Sequence, residues 1–405
     1  MTPGQDANST FYRSASIFIN EPIGSMSLSP ANRDVVLAAR KGLYIVDLES
    51  PFAPPRFLAQ LSSWEAADVQ WSPHPARSHW VASTSNDRLL IWNLNRPEGA
   101  PRRLPPFMAE SGVSAGGRGH IGGGTRMSRQ ANTGSMTSAH SNEHLAALSV
   151  SPSSTAAAHS VYHQASSGSS LRSSAIEYVL QAHTRAITDI NFSAHHPDIL
   201  ASCAIDAWSW VWDLRTPGKP VQGYSAWNAG ATQVKWNRST PHRLATAVAN
   251  KVLIWDDRKG ALPLATIEAH ENMIYGLDWS RDTTSAGLDQ LITCSLDGAV
   301  KWWDLSAPAS KEAIAARTRI TEPEQVIQTA TPIARARHLP FGRGVMTLPQ
   351  RGDHTLSMWA RDDQLPDGGP VERFAGHRDI VKEYLIRTRG GGDVEHDDRR
   401  FQLIT

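Results

Sequence analysis

The sequence predicts an all-β fold, a seven-bladed β-propeller whose seventh blade is incomplete at the C-terminus. Three observations carry this expectation. The 14 tryptophans are ordered along the chain. One set closes short β-rich runs: Trp92 in RLLIWNL, Trp212 in SWVWDL, Trp255 in KVLIWDD, Trp303 in VKWWDL and Trp359 in TLSMWA, with gaps of 43, 48 and 56 residues from Trp212 onward. A second aromatic stands 19 to 24 residues before most of these, namely Trp71 in VQWSP, Phe192 in INFSA, Trp236 in VKWNR and Trp279 in LDWSR. Between the two lies a third short apolar run, such as WVAST, ILASC, RLATA or LITCS. Each unit reads strand, turn, strand, turn, strand at a period of about 45 residues, the spacing of blades stacked around a channel.

Taken in order, the units fall at residues 25–48, 64–95, 178–215, 221–258, 264–305 and 324–360. A seventh begins at FAGHRDIVKEYLI and runs through the polar RTRGGGDVEHDDRR to FQLIT. The small polar residues mark these as WD repeats, in which His, Ser or Thr, Asp and Trp hydrogen-bond across one blade. The AHTRAI unit supplies His183, Ser202, Asp206 and Trp212, and the AHENMI unit supplies His270, Thr293, Asp297 and Trp303. Two units depart from the pattern, with Ala249 and Asn86 where the aspartate belongs. Those blades are expected to rely on apolar packing. In the seventh unit His377 takes the histidine position and Thr405 the Ser/Thr slot. The turn aspartate and the strand ending in tryptophan do not follow, so the chain is expected to be a fragment that stops inside blade seven. Residues 1–14 are expected to be disordered and 15–405 to form the propeller. An N-terminal strand in TFYRSASIF is expected to join the last blade from outside.

Composition narrows the function. The 40 basic and 39 acidic residues leave a net charge of +1, without the basic excess of a nucleic-acid binder. No run approaches 18 apolar residues, so no transmembrane helix is expected. The N-terminus MTPGQDANSTFYRS lacks the layout of a signal peptide. Cys203 and Cys294 sit in apolar runs without metal spacing and read as buried reduced thiols. No cofactor is implied, and a cytoplasmic protein is expected.

Residues 97–175 interrupt the period between blades two and three. This stretch is rich in Ser, Gly and Ala and has no Lys or Asp, so it reads as a disordered surface loop. Three motif matches lie inside it. HSNEH (His140, Glu143, His144) fits a zinc-protease pattern, but that chemistry needs both histidines on one face of a rigid helix and a further ligand. Gly117, Gly119 and Gly122 fit G-x-G-x-x-G with no strand before and no helix after. Ser151-Pro152 is a potential proline-directed phosphorylation site. None of the three builds a site. The His, Ser and Asp of the tetrads are also the residue types of a hydrolase triad. They recur at a structural period, each time with a Trp, which argues for buried networks and against an enzyme.

GLYIVDLESPF, WEAADVQWSPH, LQAHTRAITDINF, AGATQVKWN, LIWDDRK, AHENMIYGLDWS and FAGHRDIV together resemble one family. It is that of the WD-repeat subunits of the SEA complex, known in yeast as maintenance-of-telomere-capping proteins, with animal counterparts in the GATOR assembly. The likeness covers residues 15 to 405 apart from the 97–175 loop. It implies a non-enzymatic scaffold in a complex with other WD-repeat subunits, peripheral at the vacuolar or lysosomal membrane. It further implies a part in TORC signalling in response to amino acids, with links to nitrogen starvation and autophagy. The RWD and RING-type domains of the family have no counterpart in these residues. Trp64, Trp80, Trp208 and Trp227 lie outside the strand-closing pattern and read either as exposed interface anchors or as fillers between blades. An alternative from another class is a substrate receptor of a ubiquitin ligase, or a chromatin-associated propeller. Its sequence signal is the WD-x-R-like tail in Asp213-Leu214-Arg215 and Asp256-Asp257-Arg258.

Overall fold

Alternation in the short runs decides the architecture: each strand turns one row of apolar side chains toward the neighbouring blade. The computed structural model describes residues 15–60, 64–96, 175–281, 289–361, 369–390 and 400–405. Residues 1–14, HSNEH, the glycine motif and Ser151-Pro152 lie outside the described residues.

Six antiparallel four-stranded blades follow one another. The first is β1 (Ile23–Leu28), β2 (Asp34–Ala39), β3 (Gly42–Asp47) and β4 (Arg56–Ala59). The second is β5 (Val69–Trp71), β6 (Trp80–Ser85), β7 (Arg88–Asn93) and β8 (Ile176–Gln181). The third is β9 (Ile187–Phe192), β10 (Ile199–Ala204), β11 (Trp208–Asp213) and β12 (Gln222–Ser225). The fourth is β13 (Ala231–Trp236), β14 (Arg243–Val248), β15 (Lys251–Asp256) and β16 (Ala265–Ile267). The fifth joins β17 (Ile274–Trp279), β18 (Gln290–Ser295) and β19 (Ala299–Asp304) to β21 (Gln325–Gln328). Between β19 and β21 the chain makes helix α1 (Pro308–Ala316) and the short β20 (Arg319–Ile320), which adds in parallel to β16. The sixth blade is β22 (Ile333–His338), β23 (Gly344–Pro349), β24 (Leu356–Ala360) and β25 (Glu372–Phe374). A last sheet has two strands, β26 (Leu385–Arg389) and β27 (Arg400–Ile404).

The two-stranded sheet lies between the sixth and first blades. Val381 and Tyr384 pack with Met346, Leu348, Leu356 and Met358. Leu385 and Ile404 pack against the first-blade cluster of Met26, Val35, Leu37 and Val46. Arg387, buried at this seam, donates from Nε to the Asn32 carbonyl at 2.5 Å and from Nη1 to Gln402 at 2.9 Å, and pairs with Glu49. Complete blades among the described residues number six, where the repeat count predicts seven units.

Three expectations need correction. The 97–175 stretch does not separate blades two and three; it falls inside blade two, because β8 pairs with β7, Leu90 opposite Val179. The repeat unit and the blade are out of step by one strand, since the outer strand of each blade is the chain's approach to the next. The N-terminal strand is not formed in its described part. Residues 15–18 have no strand partner, and Phe18 is 92% exposed. Among the described residues β27 pairs only with β26, so no third strand offers an edge for an outer strand to join. Helix α1 has no counterpart in the repeat pattern.

Candidate interaction surfaces

A blade must bury the polar ends of its own turns, and the tetrads do this with one chain of hydrogen bonds. In the third blade Trp212 donates from Nε1 to Ser202 Oγ at 2.9 Å, and Ser202 Oγ lies 2.9 Å from His183 Nε2. His183 Nδ1 is 3.1 Å from Asp206, which also accepts the Thr184 amide at 2.8 Å and the Trp208 amide at 3.0 Å. With Nδ1–H given to the carboxylate, Nε2 is the acceptor for the Ser202 hydroxyl. The fifth blade repeats the chain: Trp303 Nε1 to Thr293 Oγ1 at 3.0 Å, Thr293 to His270 Nε2 at 2.7 Å, and His270 Nδ1 to Asp297 at 2.9 Å. Burial works to raise the carboxyl pKa of Asp206 and Asp297, but hydrogen bonds from the paired histidines and the turn amides hold both below the usual carboxylate value. Burial pulls the His270 pKa down against the attraction of Asp297. Ser202 and Thr293 have no exposed surface. A nucleophile needs a pocket that admits substrate, and neither residue has one.

The Trp-to-hydroxyl bond extends beyond the two full tetrads. Trp92 donates to Ser83, Trp255 to Thr246 and Trp359 to Thr347, each at 2.9 Å. The acceptors were legible as the small hydroxyl residues in WVAST, RLATA and VMTL. At the two departures, Asn86 and Ala249 take positive φ at the turn, as Ala207 does in the third blade. Asn250 instead donates its side-chain amide to the His270 carbonyl at 3.0 Å.

A second set of contacts joins the inner strands of adjacent blades, and repeat reading missed it. Thr188 donates to the Ala231 carbonyl at 2.6 Å and Thr232 to the Ile274 carbonyl at 2.7 Å. Asp189 accepts the Val234 amide at 2.7 Å, Asn191 the Trp236 amide at 2.9 Å and Asp278 the His338 amide at 3.0 Å. The only sequence signal is a polar residue between the apolar positions of TDINF and LDWS.

The WD domain, G-beta repeat family matches residues 261–304. The chain is 37% identical over 98% of its length to an RWD, RING finger and WD repeat-containing protein of Schizosaccharomyces pombe. It is 33% identical over 98% of its length to Maintenance of telomere capping protein 5 of Saccharomyces cerevisiae, and 28% identical over 94% to the human GATOR2 complex protein WDR59. The chain carries a WD repeat and is similar over nearly its whole length to these WD-repeat proteins. It spans 24% to 29% of the length of these three relatives.

The four unpatterned tryptophans divide between the two readings. Trp80 is a filler, buried beneath Arg77, whose guanidinium sits 4.8 Å from its ring. Trp208 is 36% exposed and stacks flat on Trp210 at 4.7 Å. Trp64 is 59% exposed and Trp227 84%. Trp227 also holds a φ of +65°, unusual for a bulky side chain. It borders a cavity of about 540 Å³ lined by Arg185, Ile205, Asp206, Ala207 and Gly230. Gly230 is required there, since a Cβ would lie 2.6 Å from Ile205 Cα. The arginines of the WD-x-R-like tails turn back on their own turns. Arg215 forks onto Asp213 at 2.6 and 2.9 Å, and Arg258 onto Asp256 at 2.9 and 3.0 Å. Among the described residues no helix is long and apolar enough to cross a membrane.

Proposed function

We propose that this propeller is a docking module of a SEA- or GATOR2-type complex, a non-enzymatic scaffold that contacts other WD-repeat subunits. The single observation that carries the reading is the likeness, over 98% of the chain, to Maintenance of telomere capping protein 5. The buried state of Ser202 and Thr293 supports a structural use of the tetrads, His183, Ser202, Asp206 and Trp212 with His270, Thr293, Asp297 and Trp303. Under this reading the protein is cytoplasmic and peripheral at the vacuolar or lysosomal membrane. It transmits amino-acid supply to TORC and thereby touches autophagy and nitrogen starvation. Residues 15–405 form the propeller, and β26 and β27 are the first strands of a seventh blade. In support, His377 Nε2 lies 2.7 Å from Thr405 Oγ1, the same pairing as His270 with Thr293.

The test is depletion of the protein followed by amino-acid withdrawal, with phosphorylation of a TORC substrate as the readout. A changed amplitude or timing of the response supports the role. A response identical to that of untreated cells overturns it.

A further inference from the structure

Three loops meet at one corner of the third blade. Consecutive strands in a blade run antiparallel, so the loop before β9, the β10–β11 turn and the β12–β13 connection all emerge at the same end. They carry Arg185, Ile205 and Trp227 in that order, and the three line the cavity of about 540 Å³ described above. Hydrogen bonds tie the loops to one another. The Ile205 amide donates to the Ala186 carbonyl at 3.1 Å and the Ala226 amide to the Ala207 carbonyl at 3.3 Å. The Trp227 amide donates to Ser225 Oγ at 3.1 Å.

Apolar surface gathers at this corner. Ile205 is 51% exposed beside the more exposed Trp227, and Trp208 stands opposite Ser225 in the β11–β12 ladder. Large apolar side chains grouped on a surface and rimmed by polar ones mark contact sites, and Trp is enriched among binding hot spots. The rim holds one uncommitted charge. Arg185 is exposed and makes no hydrogen bond or ion pair among the described residues. The carboxylates nearest along these loops are otherwise engaged. Asp206 accepts the Thr184 and Trp208 amides and faces His183 Nδ1. Asp87 lies on the turn whose Asn86 carbonyl accepts the Ile187 amide, and it faces Gln181 Nε2 at 3.5 Å.

We propose that this corner docks a short segment of a partner protein in which a bulky apolar side chain stands next to an aspartate or glutamate. The apolar side chain covers Trp227 and Ile205, and the carboxylate takes the Arg185 guanidinium, whose fork donates two parallel hydrogen bonds. Charge selects this class of occupant. A wholly apolar segment would cover Arg185 and leave it unpaired, and a basic one would set like charges together. The inference rests on the docking-module reading and gives that module one surface and one partner chemistry.

The experiment selects short random peptides displayed on phage against the full chain, then titrates the enriched peptides, synthesised with a fluorescent label, by polarisation. Trp227→Ala and Arg185→Glu are the test variants. Leu262→Ala, an exposed apolar residue in the β15–β16 loop at the opposite end of its blade, is the control. The enriched peptides should place a bulky apolar residue beside Asp or Glu. Their affinity should fall at least about tenfold in each test variant, the loss expected of a hot-spot residue, and stay unchanged in Leu262→Ala. Selection against Arg185→Glu should turn to peptides with Lys or Arg at the acidic position. No enrichment, enrichment without an acidic residue, or equal affinity in either test variant overturns the proposal. So does self-association of the chain in sedimentation that Trp227→Ala abolishes, which would make a second copy the occupant. A negative result alongside WD-repeat companions recovered from cells refutes this surface alone, whereas loss of the companions refutes the docking-module reading.

Discussion

Thr293→Val separates a hydrogen-bonded network from simple packing, because valine keeps the volume and removes the hydroxyl. Thr293 accepts from Trp303 Nε1 at 3.0 Å and reaches His270 Nε2 at 2.7 Å, so the substitution strands two buried polar atoms. Each buried group left without a partner costs about 1–3 kcal/mol, giving a total of about 2–6 kcal/mol. Thr246→Val in the fourth blade is the internal comparison. Thr246 accepts from Trp255 alone, at 2.9 Å, and is equally buried, so its loss strands one atom and costs about 1–3 kcal/mol. The assay is urea unfolding followed by tryptophan fluorescence, accepted only where the slopes match wild type. Thr293→Val should cost about twice as much as Thr246→Val. Costs equal to within about 0.5 kcal/mol, the usual additivity error, would refute the claim that the tetrad acts as a connected chain.

Arg387→Met removes a buried guanidinium that ties β26 to the Asn32 carbonyl, Gln402 and Glu49. It should cost about 2–3 kcal/mol in the same unfolding assay, with Glu49 keeping its access to water. Burial lowers the His270 pKa below its ordinary 6.5, so the unfolded chain binds more protons than the native one as pH falls through that value. Wild type should therefore lose stability between about pH 7.5 and 5.5, and His270→Gln should flatten that loss. The comparison with the variant is needed because Asp68, pushed up to about 6 chiefly by burial and Asp189, titrates in the opposite sense. Trp227→Ala should leave stability within about 0.5 kcal/mol, as expected of an exposed side chain. It should reduce capture of partner subunits if Trp227 is an interface anchor, read by quantitative co-purification.

The parts of the fold visible in sequence were those that repeat within one blade. Trp212 and Ser202 are ten residues apart, as are Trp303 and Thr293, and apolar burial fixes both members of each pair. The outer strands were harder to place. β4 and β8 are partly exposed and have weak alternation, so nothing local states which blade they complete. Only the pairing of Leu90 with Val179 across the long insertion settles it for β8. Helix α1 begins at Pro308 and is closed by Arg317 as a left-handed C-cap, and the KEAIAA stretch inside it falls between the repeat units at 264–305 and 324–360, where the repeat pattern assigns no element. The channel residues were illegible for a different reason. Asp278 and His338 are 60 positions apart, and only ring geometry brings their inner strands side by side.

The most direct test of the docking-module account is affinity capture of the endogenous protein followed by mass spectrometry of its companions. The account predicts stoichiometric recovery of other WD-repeat subunits, weakened by Trp227→Ala when that surface is used. Recovery of the protein alone, or with a ubiquitin-ligase adaptor and no WD-repeat companion, would contradict it.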